Sequence, residues 1–152
     1  MEITYENIGE SNRKEALNLH VKKSQVGTIE TVEECLEEAD QLSLWRPVII
    51  KIDDVAVAFA MYGLWIDEGS DGRLWLDRYF IDENYQGKGY GKIILEDLVN
   101  KLKTEYPVDK CYLSVYDTNL PAINLYKKLG FVFNGEKDIN GELVMVKMMK
   151  ED

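Results

Sequence analysis

Leu74-Trp75-Leu76-Asp77-Arg78-Tyr79-Phe80-Ile81-Asp82-Glu83-Asn84-Tyr85-Gln86-Gly87-Lys88-Gly89-Tyr90-Gly91-Lys92 runs from a β-rich stretch, through glycines at alternate positions, into an amphipathic helix. Strand, glycine turn and helix N-terminus in that order make a receptor for an anion. N–H groups without intrahelical partners point outward at a helix start, and the helix dipole favours negative charge there. Glycine lets the main chain come close and take positive φ. Two familiar phosphate loops do not fit. A P-loop would need glycine at Gln86 and Ser or Thr at Ile93, and a dinucleotide fingerprint begun at Gly87 would need glycine at Lys92. The pattern that fits is Gln-x-x-Gly-x-Gly, carried by Gln86, Gly89 and Gly91.

Around this stretch the chain reads as one domain, residues 1–152, with 45% hydrophobic residues and enough length for a real core. No apolar run approaches the roughly 20 residues of a membrane span, and the start lacks the basic and apolar regions of a signal peptide. No membrane association and a cytoplasmic location are therefore expected. Cys35 and Cys111 lack CxxC spacing and read as buried thiols. His20 is the single histidine, so no metal site is expected. A net charge of −10 argues against nucleic acid. Acids gather at Glu30, Glu33, Glu34, Glu37, Glu38 and Asp40, either as a solvated helix face or as a field that attracts a polycation.

Outward from the glycine turn, Met1 to Ile8 reads as a strand and Asn12 to Val21 as a helix capped by Ser11. Thr31 or Thr28 caps a second helix that runs through Leu42, with Val32, Cys35, Leu36 and Ala39 as its apolar stripe. Strands are expected at Val48–Ile52 and Val55–Trp65 around a tight Asp53-Asp54 turn, and at Arg73–Ile81. Gly89 to Lys103 is a helix burying Ile94, Leu95, Leu98 and Leu102, with Asp97 facing Lys101 outside. Cys111–Tyr116 is a strand, and Pro121–Leu129 a helix closed by Gly130. Phe131–Asn134 and Leu143–Met149 form a hairpin in which Asn140-Gly141 suits a type I′ turn. The sum is an α/β (α+β) fold, with helices on both faces of a single mixed, mostly antiparallel twisted sheet of about seven strands and one β-α-β crossover.

A second segment, Asn119-Leu120-Pro121-Ala122-Ile123-Asn124-Leu125-Tyr126-Lys127-Lys128-Leu129-Gly130-Phe131, fits Asn-x-x-Ala-x-x-x-Tyr-x-x-x-Gly-Phe at every defined position. Asn119 and Tyr126, seven apart, lie two helical turns apart on one side of a helix. The Gln86 loop, this segment and the element order β-α-α-β-β-β-α-β-α-β-β together resemble the GNAT superfamily of N-acetyltransferases over nearly the whole chain. Ala58-Phe59-Ala60-Met61-Tyr62-Gly63, Leu76 to Asp82 and Phe133-Asn134-Gly135-Glu136 further resemble bacterial spermine/spermidine acetyltransferases.

The resemblance implies an enzyme that moves the acetyl group of acetyl-CoA, its co-substrate, to a primary amine of a polyamine, as a homodimer. It implies that the pyrophosphate rests on Gln86, Gly87, Lys88, Gly89, Tyr90, Gly91 and Lys92, with Lys127 and Lys128 near the phosphates. The strand Arg73 to Asp82 would bulge near Tyr79 and Phe80, so that the main chain of Tyr79, Phe80 and Ile81 pairs with the pantetheine arm. Asn119 would bond that arm or cap its helix. Tyr126 would give a proton to the departing sulfur or pack on the acetyl group. Asp77 would be the base, or else a charge partner for Arg78 or a substrate anchor. Glu30, Asp67 and Asp77 are the acids expected to hold substrate ammonium groups; Glu33 and Asp82 are further candidates, and Trp65, Trp75 and Tyr79 offer faces to a cation. Two other functions stay open: acetylation of a different amine (an aminoglycoside or a peptide N-terminus), and non-catalytic acyl-CoA binding.

Overall fold

The computed structural model describes residues 1–25, 27, 29–69 and 71–150. Among them, seven strands form one sheet: β1 (Ile3–Asn7), β2 (Arg46–Ile52), β3 (Val55–Trp65), β4 (Arg73–Ile81), β5 (Lys110–Val115), β6 (Val132–Lys137) and β7 (Leu143–Met148). The helices are α1 (Arg13–Leu17), α2 (Val32–Gln41), α3 (Tyr90–Glu105) and α4 (Leu120–Lys128). The strand order is β1-β2-β3-β4-β5-β7-β6. Pairing is antiparallel at β1–β2, β2–β3, β5–β7 and β6–β7, and parallel at β4–β5. That parallel step needs a long crossover, which α3 supplies. The mixed, mostly antiparallel sheet expected from sequence is therefore present. Packing divides the chain into two compact units, Met1–Gly63 with Asp77–Gly91, and Leu64–Leu76 with Lys92–Asp152.

In the first unit, the β2–β3 hairpin turns on Asp53 and Asp54, at φ 48° and 69°. Two left-handed residues match the twist of a tight hairpin, and Asp tolerates that region better than most side chains. Register slips between Ile50 and Lys51, which pair with Ala58 and Ala56, so Val57 is the extra residue of a β-bulge. Its carbonyl accepts from Asp82 N at 2.8 Å. Gly63 has a packing reason: a Cβ there would lie 2.7 Å from Leu44 Cδ1 and 2.9 Å from Leu44 O.

Helix α2 begins on a complete capping box. The Thr31 side chain accepts from Glu34 N, and the Glu34 carboxylate accepts from Thr31 N at 3.0 Å. Val32, Cys35 and Leu36 are buried, and each large apolar side chain contributes roughly 1.5–3 kcal/mol on full burial. Thr28, the alternative cap, lies outside the described residues. Helix α1 corrects the sequence reading: it stops at Leu17, and Asn12 rather than Ser11 holds the N-cap position. The Asn12 side chain turns back toward β1, donating to Asn7 O and accepting from Gly9 N, so it caps nothing. The helix cannot run on to Val21, because His20 N donates to Asp82 Oδ1 at 2.9 Å instead of to a helical carbonyl.

In the second unit, Ile94, Leu95, Leu98, Val99 and Leu102 of α3 are buried. Lys101 ion-pairs with Glu105. Helix α4 ends as expected at Gly130, φ 96°, whose N–H donates to Lys127 O. The β6–β7 turn is a second correction. Only Gly141 of the Asn-Gly pair has positive φ, 80°, whereas a type I′ turn needs it at both central residues. The Asp138 carboxylate organises the turn, accepting from Asn140 N and Glu142 N at 2.9 Å, while Gly141 N donates to Asp138 O. This local Asx bonding holds Asn140 out of the left-handed region.

Candidate active site

The glycine loop enters α3 as the sequence implied. Gly87 and Gly89 take φ 77° and 81°, and nothing stands within 4 Å of where a Cβ would sit at either. Backbone conformation, rather than crowding within the protein, is therefore what demands glycine here. Lys88 is exposed with Nζ 5.6 Å from the Tyr85 ring centroid. The Tyr79 hydroxyl donates to Gly91 O at 2.8 Å, tying β4 to the loop's end. Tyr90 is half-buried at the head of α3.

The Gln86 side chain faces back into its own unit. Its Nε2 donates to Ile81 O at 2.8 Å and to Gln25 Oε1 at 3.0 Å, and Gln25 Nε2 returns a bond to Gln86 Oε1. Asp82, 3% exposed, accepts from His20 N, Asn84 N and Asn84 Nδ2. Its carboxylate is thus an organiser of the 82–86 turn rather than a waiting ammonium ligand. His20 Nδ1 lies 2.9 Å from Glu83 Oε2, and Glu83 N donates to His20 O. The segment from His20 to Gln25 is in this way pinned onto the segment just before the glycine loop.

From there Gly27 and residues 29–34 wall a cavity of about 530 Å³, a size usual for small-molecule sites. Glu30, Glu33 and Glu34 supply its acids, with His20 beside them. Leu17, Leu19, Ile29, Val32 and Phe80 supply apolar surface. Phe80 is steadied by a tilted contact with Phe59, centroids 5.7 Å apart. Of the expected ammonium ligands, Glu30 lines this cavity. Asp77 does not, but both meet Arg78: Glu30 Oε2 is 2.6 Å from Nε, and Asp77 pairs with Nη1. Along β4 the burial alternation of Leu74 and Leu76 breaks where Asp77 and Arg78 are both half-buried and Tyr79 and Phe80 both buried. A regular half-buried strand alternates, so the phase changes at the positions where a bulge was expected.

The second unit carries the other signature. Asn119 Oδ1 accepts from Ala122 N at 3.4 Å and caps α4, with Pro121 in the first turn. Tyr126 meets Phe131 edge-on at 5.9 Å. Burial pushes its phenol up to about 12, and the Glu142 carboxylate adds to the effect. Lys92 and Lys128 are exposed, and Lys127 Nζ lies 5.4 Å from the Phe133 ring centroid. Asp67 is exposed in the turn after β3. Trp75 donates through Nε1 to Glu68 at 2.7 Å and packs on Tyr112, so its polar edge is already engaged. Pairing between β4 and β5 falls at Leu74↔Cys111 and Trp75↔Tyr112.

Burial raises both thiols, Cys35 and Cys111, to about 12. A thiolate is the nucleophilic form, so neither is suited to carry an acetyl group. Among the described residues, no group of three or more His, Cys, Asp or Glu is placed to hold a metal ion. No described helix is long and apolar enough to cross a membrane.

Sequence reasoning underrated Arg78, Glu38 and Gln25. An arginine inside an apolar, aromatic strand was a usable sign for the first; Glu38 stood in the acidic run, and nothing local marks Gln25.

The sequence pattern of the Acetyltransferase (GNAT) family matches residues 13–131. The chain belongs to this family. Its chemistry is accordingly acetyl transfer. The chain is 45% identical over 150 residues to a spermine/spermidine N(1)-acetyltransferase of Bacillus subtilis, covering 97% of this chain and 99% of that protein. Among solved structures it is similar to the aminoglycoside acetyltransferase AAC(6')-Ib in complex with paromomycin and acetyl-CoA, with TM-score 0.81, 19% identity, and 97% and 94% of the two chains covered. It is also similar to a spermidine N-acetyltransferase chimera of Vibrio cholerae SpeG and hSSAT, with TM-score 0.70, 18% identity, and 98% and 96% covered. At these identities the two structures speak for the fold.

Proposed function

We propose that residues 1–152 work as one N-acetyltransferase domain that moves the acetyl group of acetyl-CoA to a primary amine of spermine or spermidine, by direct attack in a ternary complex. The observation that carries this reading is the cavity beside β4. Its carboxylates suit ammonium groups, and its apolar residues suit the methylene spacers between them. The full-length likeness to the Bacillus enzyme supports the same substrate class.

Attack needs a neutral amine, and with a pKa near ~10.4 only about one primary amine in 2,500 is neutral at pH 7. A carboxylate reached directly or through water raises the useful fraction, and Asp77 is our candidate, with Glu30 and Asp67 as ammonium anchors. The main chain of Tyr79, Phe80 and Ile81 takes the pantetheine arm as an added strand, and an N–H there, assigned to Ile81, polarises the thioester carbonyl. The Ile81 carbonyl is already held by Gln86, which supports a fixed geometry at that residue. The loop from Gln86 to Lys92 holds the pyrophosphate, with Lys128 and Asn119 as further contacts. Tyr126 supplies a proton to the coenzyme sulfur; at about 12 its phenol stays protonated at neutral pH.

A homodimer in the cytoplasm completes the proposal, and sedimentation or size-exclusion measurement tests the dimer. The decisive assay follows thiol release from acetyl-CoA with spermine, spermidine, an aminoglycoside and a peptide N-terminus in turn. Release above the blank with the polyamines is expected. Release at blank level with both polyamines, while another amine reacts, removes the substrate assignment.

A further inference from the structure

Glu30 does not face the cavity alone. The Arg78 side chain behind it is only 12% exposed, and its guanidinium reaches Glu30 through Nε at 2.6 Å, Glu38 through Nη2 at 3.0 Å, and Asp77 through Nη1. Three carboxylates against one guanidinium leave two formal negative charges at this centre. Burial works against the arginine's charge, but Asp77, Glu30 and Glu38 outweigh it and hold its pKa above the usual value. The contacts are unequal in kind. Arg78 Nε is buried and makes no aligned hydrogen bond among the described residues, although Glu30 Oε2 is close. Buried donors left this way are uncommon and call for an explanation. An ammonium group in the cavity would compete with Nε for the Glu30 carboxylate, while Nη1 and Nη2 keep Asp77 and Glu38. Glu34, another acid on the wall, already accepts from Thr31 N and Thr31 Oγ1.

We infer that Arg78 is a specificity-determining residue: its fixed positive charge offsets Glu30 and Asp77 behind the cavity wall and limits how strongly the site prefers highly charged amines. The inference rests on the polyamine reading above. The energy of a cation in a site scales with its charge, so losing a fixed positive charge favours a tetra-amine more than a diamine.

The test compares kcat/KM for spermine with kcat/KM for 1,4-diaminobutane in wild type, Arg78→Gln and Arg78→Lys. The ratio cancels damage common to both substrates. Arg78→Gln raises it about three- to tenfold at low salt, less at high salt, and Arg78→Lys brings it back to within about twofold. A ratio in Arg78→Gln within about twofold of wild type overturns the inference while leaving the function intact. Wild type inactive on every amine overturns the function and the inference together. Should Arg78→Gln not fold, Glu38→Gln removes a half-exposed carboxylate and keeps the guanidinium. It must then lower the ratio, and an unmoved ratio overturns the inference equally.

Discussion

Replacing Tyr126 with Phe removes one oxygen and leaves the ring that meets Phe131 edge-on. With the phenol at about 12, roughly one molecule in ten thousand is ionised at pH 8. Wild type therefore carries the proton throughout the neutral range, and Tyr126 causes no loss of rate on the alkaline side below about pH 11. Positioned acids contribute typically about 10²–10⁴-fold, or about 2.7–5.4 kcal/mol of barrier at 1.36 kcal/mol per decade. We expect Tyr126→Phe to lose at least a hundredfold in kcat at pH 8, with acetyl-CoA affinity within about threefold and the melting temperature almost unmoved. Thiol release with saturating spermine gives kcat, and calorimetry with acetyl-CoA gives the affinity. Turnover within about threefold of wild type, at unchanged affinity, would refute the acid role. A matched fall in both numbers would instead place Tyr126 in coenzyme binding.

Other outcomes follow from the same geometry. Gly89→Ala forces a side chain to φ 81°, at a cost of about 1–2 kcal/mol; calorimetry should show coenzyme binding weakened about tenfold or more, and unchanged affinity would place the anion elsewhere. Thr31→Ala removes half of the α2 capping box and should cost about 0.5–2 kcal/mol, a few degrees in a melting scan. The carboxylates of Glu6, Glu34 and Glu136 all sit below their ordinary 4.5, through Lys51, Thr31 and Arg73 respectively. Their stabilisation is fully present above that value and is lost as pH falls through the lower folded values. The melting temperature should therefore hold from about pH 6 to 8 and drop below about pH 4.5, less steeply in Glu136→Gln.

The elements most legible in the sequence were those whose cause is local. Arg73–Ile81 and Val55–Trp65 were drawn to the residue, because apolar runs of strand length ended in clear turn chemistry. The Thr31 cap, the stop at Gly130 and the left-handed Gly87 and Gly89 followed from side-chain and backbone rules spanning three or four positions. Where the reading failed, a longer-range or competing bond had won: Asp82 took the N–H that α1 needed to continue, and Asp138 organised the turn expected from Asn140-Gly141.

Sequence alone was thus sufficient for the order of strands and helices, the glycine turn before α3 and the family's two signatures, since each is written in neighbouring residues. The tertiary structure decided which acids share a cation. Arg78 gathers Glu38 from 40 positions away, and Gln86 finds Gln25 at a separation of 61. Such meetings leave no periodicity behind. They exist only once the chain has closed, because burial then makes a guanidinium draw in the carboxylates within reach.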